Sequence, residues 1–329
     1  MNYLGIDVAK AKLDCCLLME NNRKKSKVVP NSEEGFQQLI AWCKKQGFLP
    51  ADLHAVMEST GCYHEPVAHA LFEVGMQVSL LNPARVREFA KSQGILSKND
   101  GLDAFAIARF GASSELELWQ PPPAEVTYLK VLMARLETID QDLQRECNRR
   151  EKTDFINAPD AVLDSFMEHI AHLELAHEKL SKEIERHIDQ HPDLKKDRAL
   201  LQSIPGVGPK VSTVMMVCLR QGQFSCAEQS AAYLGLTPIE RQSGSSVRGR
   251  SRLSKNGPAK VRAKLYMAAV SAKTHNPHIR ELAQRMALRG KCNMSIIGAA
   301  MRKLVHLCFG VLKNQLPYQP NYAPKGLTG

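Results

Sequence analysis

The sequence lacks most of the signatures by which nucleotide-binding and hydrolytic enzymes are recognised. It holds no P-loop, no Gly-x-Gly-x-x-Gly turn after a strand, no Gly-x-Ser-x-Gly elbow and no His-Glu-x-x-His pair. The early GIDVAK could open a phosphate-binding hairpin of the sugar-kinase and actin type, but the second Gly-rich phosphate loop which that reading needs is missing. Nine cysteines, at positions 15, 16, 43, 62, 147, 218, 226, 292 and 308, form no Cys-x-x-Cys pair and meet no paired histidines. A zinc ligand set is therefore not indicated, and the thiols read as reduced and mostly core-filling. No uncharged apolar run approaches the ~20 residues that span a bilayer, and MNYLGIDVAK has neither the basic nor the apolar region of a signal peptide. No membrane partner is expected, and the chain is placed in the cytoplasm.

What is present is an uneven distribution of charge over 329 residues with a net charge of +10. Residues 1–120 carry 13 basic and 14 acidic side chains, residues 121–195 carry 10 and 16, and residues 196–329 carry 21 and 4. All the excess positive charge thus lies in the last third. A polyanion is the natural partner of such a segment, because each Lys or Arg placed on a phosphate releases a condensed counterion. A merely solvated basic surface is the bland alternative.

The hydropathy pattern divides the chain in the same places. YLGIDVAKAKLDCCLLM reads as a strand, a turn and a second strand. Residues 31–46 read as a helix with Ser32 as N-cap and Phe36, Leu39, Ile40 and Cys43 on one face. LHAVMEST is a short buried strand, VAHALFEVG a helix closed by Gly75, and MQVSLLNP a strand stopped by Pro83. Alternating strands and helices predict an α/β domain over residues 1–120. Beyond Trp119–Pro123, Leu129, Leu132, Leu136, Ile139 and Leu143 recur at steps of three and four. After a break at Asn157 and Pro159, so do Leu163, Phe166, Ile170, Leu173, His177, Leu180 and Ile184. This predicts a helical hairpin or coiled-coil arm over 121–195, whose apolar seam needs a cover, so a homo-oligomer, dimer or tetramer, is expected. Residues 196–320 read as helices joined by Gly-rich and Ser-rich loops, and 321–329 as a tail rich in Pro and Gly.

Two constellations carry chemistry. Asp7 stands in the middle of the first strand among Leu4, Ile6 and Val8, where an unpaired carboxylate is costly to bury, and Glu58 ends another strand in the same way. Asp100 and Asp103 open a helix and share the face of its first turn. Clustered carboxylates need cations, and oxygen-only ligands suit Mg²⁺ or Mn²⁺. Two such ions about 3.5–4 Å apart stabilise both oxygens of an in-line phosphoryl transfer. Taken singly, Asp100 serves equally well as an N-cap and Asp103 as a favourable charge in a first turn. Asp14, Glu65 and Glu88 have solvent-facing contexts and are not selected.

The second constellation lies in the basic third. IPGVGPK sets a Gly-x-Gly turn before a helix, which offers the N–H groups of Gly206 and Gly208, together with Lys210, to a phosphate in the manner of a helix-hairpin-helix element; a plain helix connection is the alternative. In RQSGSSVRGRSRLSKNG, Ser243, Ser245 and Ser246 stand among Arg241, Arg248, Arg250, Arg252 and Lys255, with no acid between Glu240 and Glu281. A serine hydroxyl here could attack a phosphodiester and conserve the bond as a phosphoseryl link, or could simply hydrogen-bond phosphates. His275 and His278, on either side of Pro277, read as structural.

The motifs GIDVAK, MESTG, KNDGLDA, SIPGVGPK, AAYLGLTP and SGSSVRG followed by LSKNG, in this order, resemble the DEDD transposases of bacterial insertion sequences that use a bridge RNA. The resemblance runs from about residue 3 to residue 318. It implies an RNase H-like (RuvC-like) N-terminal domain, a coiled-coil arm and a mainly helical C-terminal transposase domain. It further implies a metal tetrad of Asp7, Glu58, Asp100 and Asp103, with Ser243 at the position of the family's nucleophile. Donor and target DNA and an element-encoded bridge RNA are the implied partners, with sequence choice delegated to base pairing. Asn99 departs from the family, whose members often carry Thr before the third acid. The alternatives are a metal-dependent endonuclease of the Holliday-junction type without a covalent intermediate, and a structural nucleic-acid-binding protein.

Overall fold

The computed structural model describes residues 2–21, 23–59, 61–94, 100–222, 224–240, 242–243, 247–248 and 251–320; the side chains of Asp100 and of residues 242–243 and 247–248 lie outside the description. The chain forms two compact units, residues 1–121 and 122–329.

The first unit is built on a five-stranded sheet in the order β3-β2-β1-β4-β5. β1 (Asn2–Val8), β2 (Lys12–Leu18) and β3 (Lys24–Pro30) form an antiparallel meander, whereas β4 (Leu53–Glu58) runs parallel to β1 and β5 (Gln77–Leu81) parallel to β4. This connectivity is the RNase H-like arrangement that the resemblance implies. One face of the sheet is covered by α1 (Glu33–Lys45) and α2 (Glu65–Glu73), where Leu4, Ile6, Leu13, Leu39, Met57 and Leu71 are fully buried. α1 starts where the sequence places it: the Ser32 hydroxyl accepts a hydrogen bond from the Gly35 amide, and Phe36, Leu39, Ile40 and Cys43 are buried. The other face carries α3 (Pro83–Ser92) and α4 (Asp100–Ser113), with Val56, Val86, Ile107 and Phe110 forming a second, smaller core.

β3 has no counterpart in the pattern reading. Its sequence, KKSKVVP, buries only Val29. As an edge strand it needs only a partner backbone, and its lysines protect the open edge from further pairing.

In the second unit, α5 (Ala124–Phe155) and α6 (Asp160–Gln190) form an antiparallel hairpin that turns at Asn157, where φ is +52°. Ile139, Ile170 and Leu173 are buried along its seam, and the His177–Asp140 pair spans it at 3.0 Å. At its base, Val126, Leu129, Ile184 and Ile188 join a core shared with α7 (Pro192–Gln202), α8 (Pro209–Gly222), α9 (Ala227–Tyr233), α10 (Ala259–His275), α11 (Pro277–Leu288) and α12 (Asn293–Asn314). A fully buried carboxylate locks three of these helices. Asp197 of α7 accepts from Arg220 Nε of α8 at 2.5 Å and from Gln315 Nε2, just past α12, at 2.9 Å. α12 is long and apolar enough to cross a membrane, but it carries Arg302 and Lys303, and half of its apolar stretch is packed inside this core.

The cysteines depart from the core-filling expectation. Cys15, Cys16, Cys43 and Cys308 are buried, while Cys62, Cys147 and Cys292 are exposed, and no disulfide forms among the described residues. His278 is structural: its Nδ1 lies 2.7 Å from the Tyr318 hydroxyl.

Candidate active site

β1 and β4 lie side by side in parallel register from Asn2↔Leu53 to Ile6↔Met57, so Asp7 and Glu58 each follow the last paired residue and stand at one level, at the C-terminal ends of their strands. Strand side chains alternate between faces. Because Leu4, Ile6, Val8, Leu53, Ala55 and Met57 belong to the core under α1 and α2, Asp7 and Glu58 are on the opposite face, towards α4.

Two glycines bring α4 onto that face. A Cβ on Gly5 would lie 2.2 Å from the Ala104 carbonyl oxygen and 2.8 Å from the Ala108 Cβ. A Cβ on Gly111 would meet Val56 at 2.9 Å and Tyr3 at 3.0 Å. α4 therefore runs antiparallel to β1, and its first turn, with Asp103 next to Ala104, sits at the end of β1 where Asp7 stands. Three acids from three elements, far apart in sequence, share one end of one sheet face. Asp7, Glu58 and Asp103 are all half-buried. The backbone of Asp100 begins α4, and its side chain lies outside the described residues.

The donor chemistry, carboxylate oxygen only, fits a hard divalent cation. Among the described residues, no three His, Cys, Asp or Glu side chains are drawn together closely enough to hold an ion.

The structure corrects the reading of Asp14. It pairs directly with Asp7 across β1 and β2, is 8% exposed, and is held by Lys12 with Nζ 3.0 Å from its Oδ2. Its charged neighbours in sequence suggested solvent; burial comes from α4, which packs on β2 as well as β1. No local pattern reports that contact.

In the second unit, the turn between α7 and α8 has Gly206 at φ +99°, where a Cβ would lie 2.6 Å from that of Ala272 in α10. Packing and backbone conformation alone thus require this glycine. Gly208 faces open space at the start of α8, and Lys210 in the first turn of that helix is exposed.

The serine segment is clamped at its two ends. β6 (Pro238–Ile239) pairs with β9 (Arg252–Leu253), the Ser254 amide donates to the Thr237 carbonyl at 2.8 Å and the Lys255 amide to that of Gly235 at 3.1 Å. Arg262 Nη1 then donates to the carbonyls of Gly257 at 2.7 Å and Leu234 at 3.3 Å. The motifs AAYLGLTP and LSKNG are therefore two sides of one clasp. Within it, β7 (Gln242–Ser243) pairs with β8 (Val247–Arg248), Ser243 opposite Val247. The side chains of Ser243 and Arg248, and all of Arg241, Ser245, Ser246 and Arg250, lie outside the described residues. Arg252 and Lys255 are described: Arg252 is exposed, and Lys255 has φ +57°.

Comparison with known proteins bears on both units. Residues 4–153 match a transposase family model of the DEDD type from IS110 elements, and residues 198–284 match that of the transposase IS116/IS110/IS902 family. The chain is 32% identical over 319 residues to the pilin gene-inverting protein of Moraxella bovis, covering 96% of this chain and 97% of that protein. It is 26% identical over 121 residues to the uncharacterized 43.6 kDa protein of insertion element IS110 from Streptomyces coelicolor, 36% of this chain and 30% of the other. Among solved structures, RuvC of Thermus thermophilus in complex with a Holliday junction substrate is similar at 18% identity over 36% of this chain and 99% of that chain, with a TM-score of 0.27. With a relative of this identity along nearly its whole length and family models matching in both units, the chain belongs to the IS110/IS116/IS902 family of transposases, enzymes of DNA cleavage and strand transfer.

Proposed function

We propose that this transposase is an RNA-guided recombinase that cuts and rejoins DNA with Asp7, Glu58, Asp100 and Asp103 as the metal-holding acids and Ser243 as the nucleophile. The observation that carries the acidic half is the placement of Asp7, Glu58 and Asp103 at one end of the α4-covered face, set by the contact of Gly5 with Ala104. Mg²⁺ or Mn²⁺ bound there would supply charge neutralisation for the phosphate under attack. The basic half is supported by the charge imbalance of residues 196–329 and by the resemblance of SGSSVRG, within the matched residues 198–284, to the family's motif.

In the chemical step the Ser243 Oγ loses its proton and bonds to phosphorus while one deoxyribose oxygen leaves and takes up a proton. One phosphoester replaces another, so rejoining needs no outside energy source. Arg241, Ser245, Ser246, Arg248, Arg250, Arg252 and Lys255 hold the DNA backbone around this serine, and Gly208 and Lys210, at the start of α8 beyond the Gly206 turn, hold a more distant phosphate. Donor and target DNA are the substrates; the guide RNA rests on the family resemblance. The helical hairpin, as a coiled-coil arm, joins copies of the chain into a dimer or tetramer, and the enzyme works at the nucleoid. Residues 1–120, 121–195 and 196–320 divide the labour into cutting, assembly and DNA handling.

The test is a denaturing gel of the full chain with its copurifying RNA and a plasmid carrying the gene and its flanking DNA. A protein–DNA adduct should form in Mg²⁺, vanish in Ser243→Ala and vanish in Asp7→Ala. An adduct that persists in Ser243→Ala refutes the serine assignment, and nicked ends without any adduct favour water as the nucleophile.

A further inference from the structure

Beyond the acids, the same end of the sheet carries one built feature without an assigned role, the Lys12–Asp14 pair. Asp14 is directly opposite Asp7, and directly paired residues of an antiparallel ladder point to the same face. Lys12, two residues before Asp14 on β2, shares that face and is the diagonal neighbour of Asp7, about 7–8 Å away by ladder geometry. Its side chain is 45% exposed while that of Asp14 is 11% exposed. The pair is thus a buried carboxylate gripping the ammonium of a lysine that still reaches solvent beside Asp7.

The hairpin tip that presents Lys12 is itself tied down. The Lys12 carbonyl accepts from the Ala9 amide at 3.0 Å, and Asn31 Nδ2 donates to the carbonyls of Ala9 at 3.0 Å and Tyr63 at 3.1 Å. Asn31 so links the β1–β2 tip to the loop that follows Glu58.

We infer that Lys12 binds a non-bridging phosphate oxygen of the DNA strand brought to the acid face, and that Asp14 is the positioning residue that aims it. The physical need is specific. A polyanion must approach a sheet end holding Asp7, Asp14, Glu58 and Asp103, and a positive charge one diagonal from Asp7 offsets that repulsion where the strand enters. An ammonium has three donors, and nearly half of the Lys12 side chain is open to solvent. Asp14, neutralised by Lys12, also stays out of competition for the cation. The inference deepens the acid-face reading and rests on it.

The experiment is single-turnover nicking of the same plasmid by the full chain with its copurifying RNA in Mg²⁺, across DNA and KCl concentrations. Lys12→Ala should raise the half-saturating DNA concentration about tenfold, the value of one charge-assisted hydrogen bond, and lower the salt slope by about one. Lys12→Arg should recover to within about threefold of the parent, because it keeps the charge and the donors. Asp14→Asn should fall between them. Half-saturation and salt slope unchanged in Lys12→Ala would overturn the inference, as would a Lys12→Arg as impaired as Lys12→Ala. Lys12 lies at the surface, so these two variants decide the matter even if Asp14→Asn fails to fold. Asp7→Ala separates the levels: if it still nicks, the acid-face reading itself fails, whereas an inactive Asp7→Ala beside a normal Lys12→Ala removes only the role of Lys12.

Discussion

The two halves of the proposed chemistry are held in different ways. The acids sit on long, mutually packed elements, with Asp7 and Glu58 on neighbouring strands and Asp103 on a helix that touches β1 without an intervening side chain. Ser243 sits on a two-residue strand paired, among the described residues, with its own hairpin partner, inside a segment whose ends are clasped by β6 with β9 and by Arg262. Carboxylates that share ions must be placed by the fold, since displacement of one acid removes a ligand. The proposed nucleophile, by contrast, is held through the clasped ends of its segment.

The largest effect is expected from breaking the helix–sheet contact. Gly5→Ala drives a methyl group into the Ala104 carbonyl, a backbone atom that cannot rotate away. A destabilisation of about 2–3 kcal/mol, by overpacking, should accompany a loss of cleavage comparable to that of Asp7→Ala. Melting curves and nicking assays on one preparation check both, and cleavage at the parent rate would show that the α4 approach does not set the acids.

A stability test sharpens the contrast from the other side. Arg220→Met removes the main partner of the fully buried Asp197 and leaves an uncompensated charge, at a cost of about 3 kcal/mol. Urea unfolding should report it. The proposed acid site belongs to the other unit, so nicking in Mg²⁺ at low temperature should persist.

The smallest effect is a pH dependence that each unit shows through one histidine. Burial holds His54 below its ordinary value, where it stacks on Tyr3 at 5.5 Å and lies 2.8 Å from the Ser79 hydroxyl. His306 in the second unit is lowered by burial first and then by Arg302, against Glu228. Both fold as neutral rings, so their contribution is complete above the unfolded value of about 6.5 and is lost as pH falls through the lower folded values. Calorimetry between neutral and mildly acid pH should show a falling Tm, and His54→Phe should flatten the part of that slope due to the first unit. An unchanged slope would mean that His54 is not held neutral.

Much of the first unit is legible from sequence because its signals are local. The Ser32 cap, the spacing from Phe36 to Cys43, and the apolar setting that makes Asp7 and Glu58 expensive all lie within a few residues of what they predict. β3 escapes because an edge strand with lysines at 24, 25 and 27 shows no buried alternation. Asp14 escapes because its burial depends on a helix some ninety residues later, and the cysteines escape because exposure of Cys62, Cys147 and Cys292 is decided by loops and helix surfaces. In the basic third, glycines at 206, 235 and 257 are explained by close approaches to Ala272, Arg262 and Tyr233. The motif spacing recorded these contacts without saying what touches what.

On the proposed reading, the seat of Ala104 on Gly5 also sets when the acids come together. A ribosome delivers Asp7 and Glu58 well before α4, and a chain halted before residue 100 has two acids on an uncovered sheet face. Only when the helix settles on β1 does Asp103 join them, so on the proposed reading cutting requires completion of the first unit. On the proposed reading, a full-length copy whose first unit has melted keeps the basic residues 196–329 but loses the acid cluster.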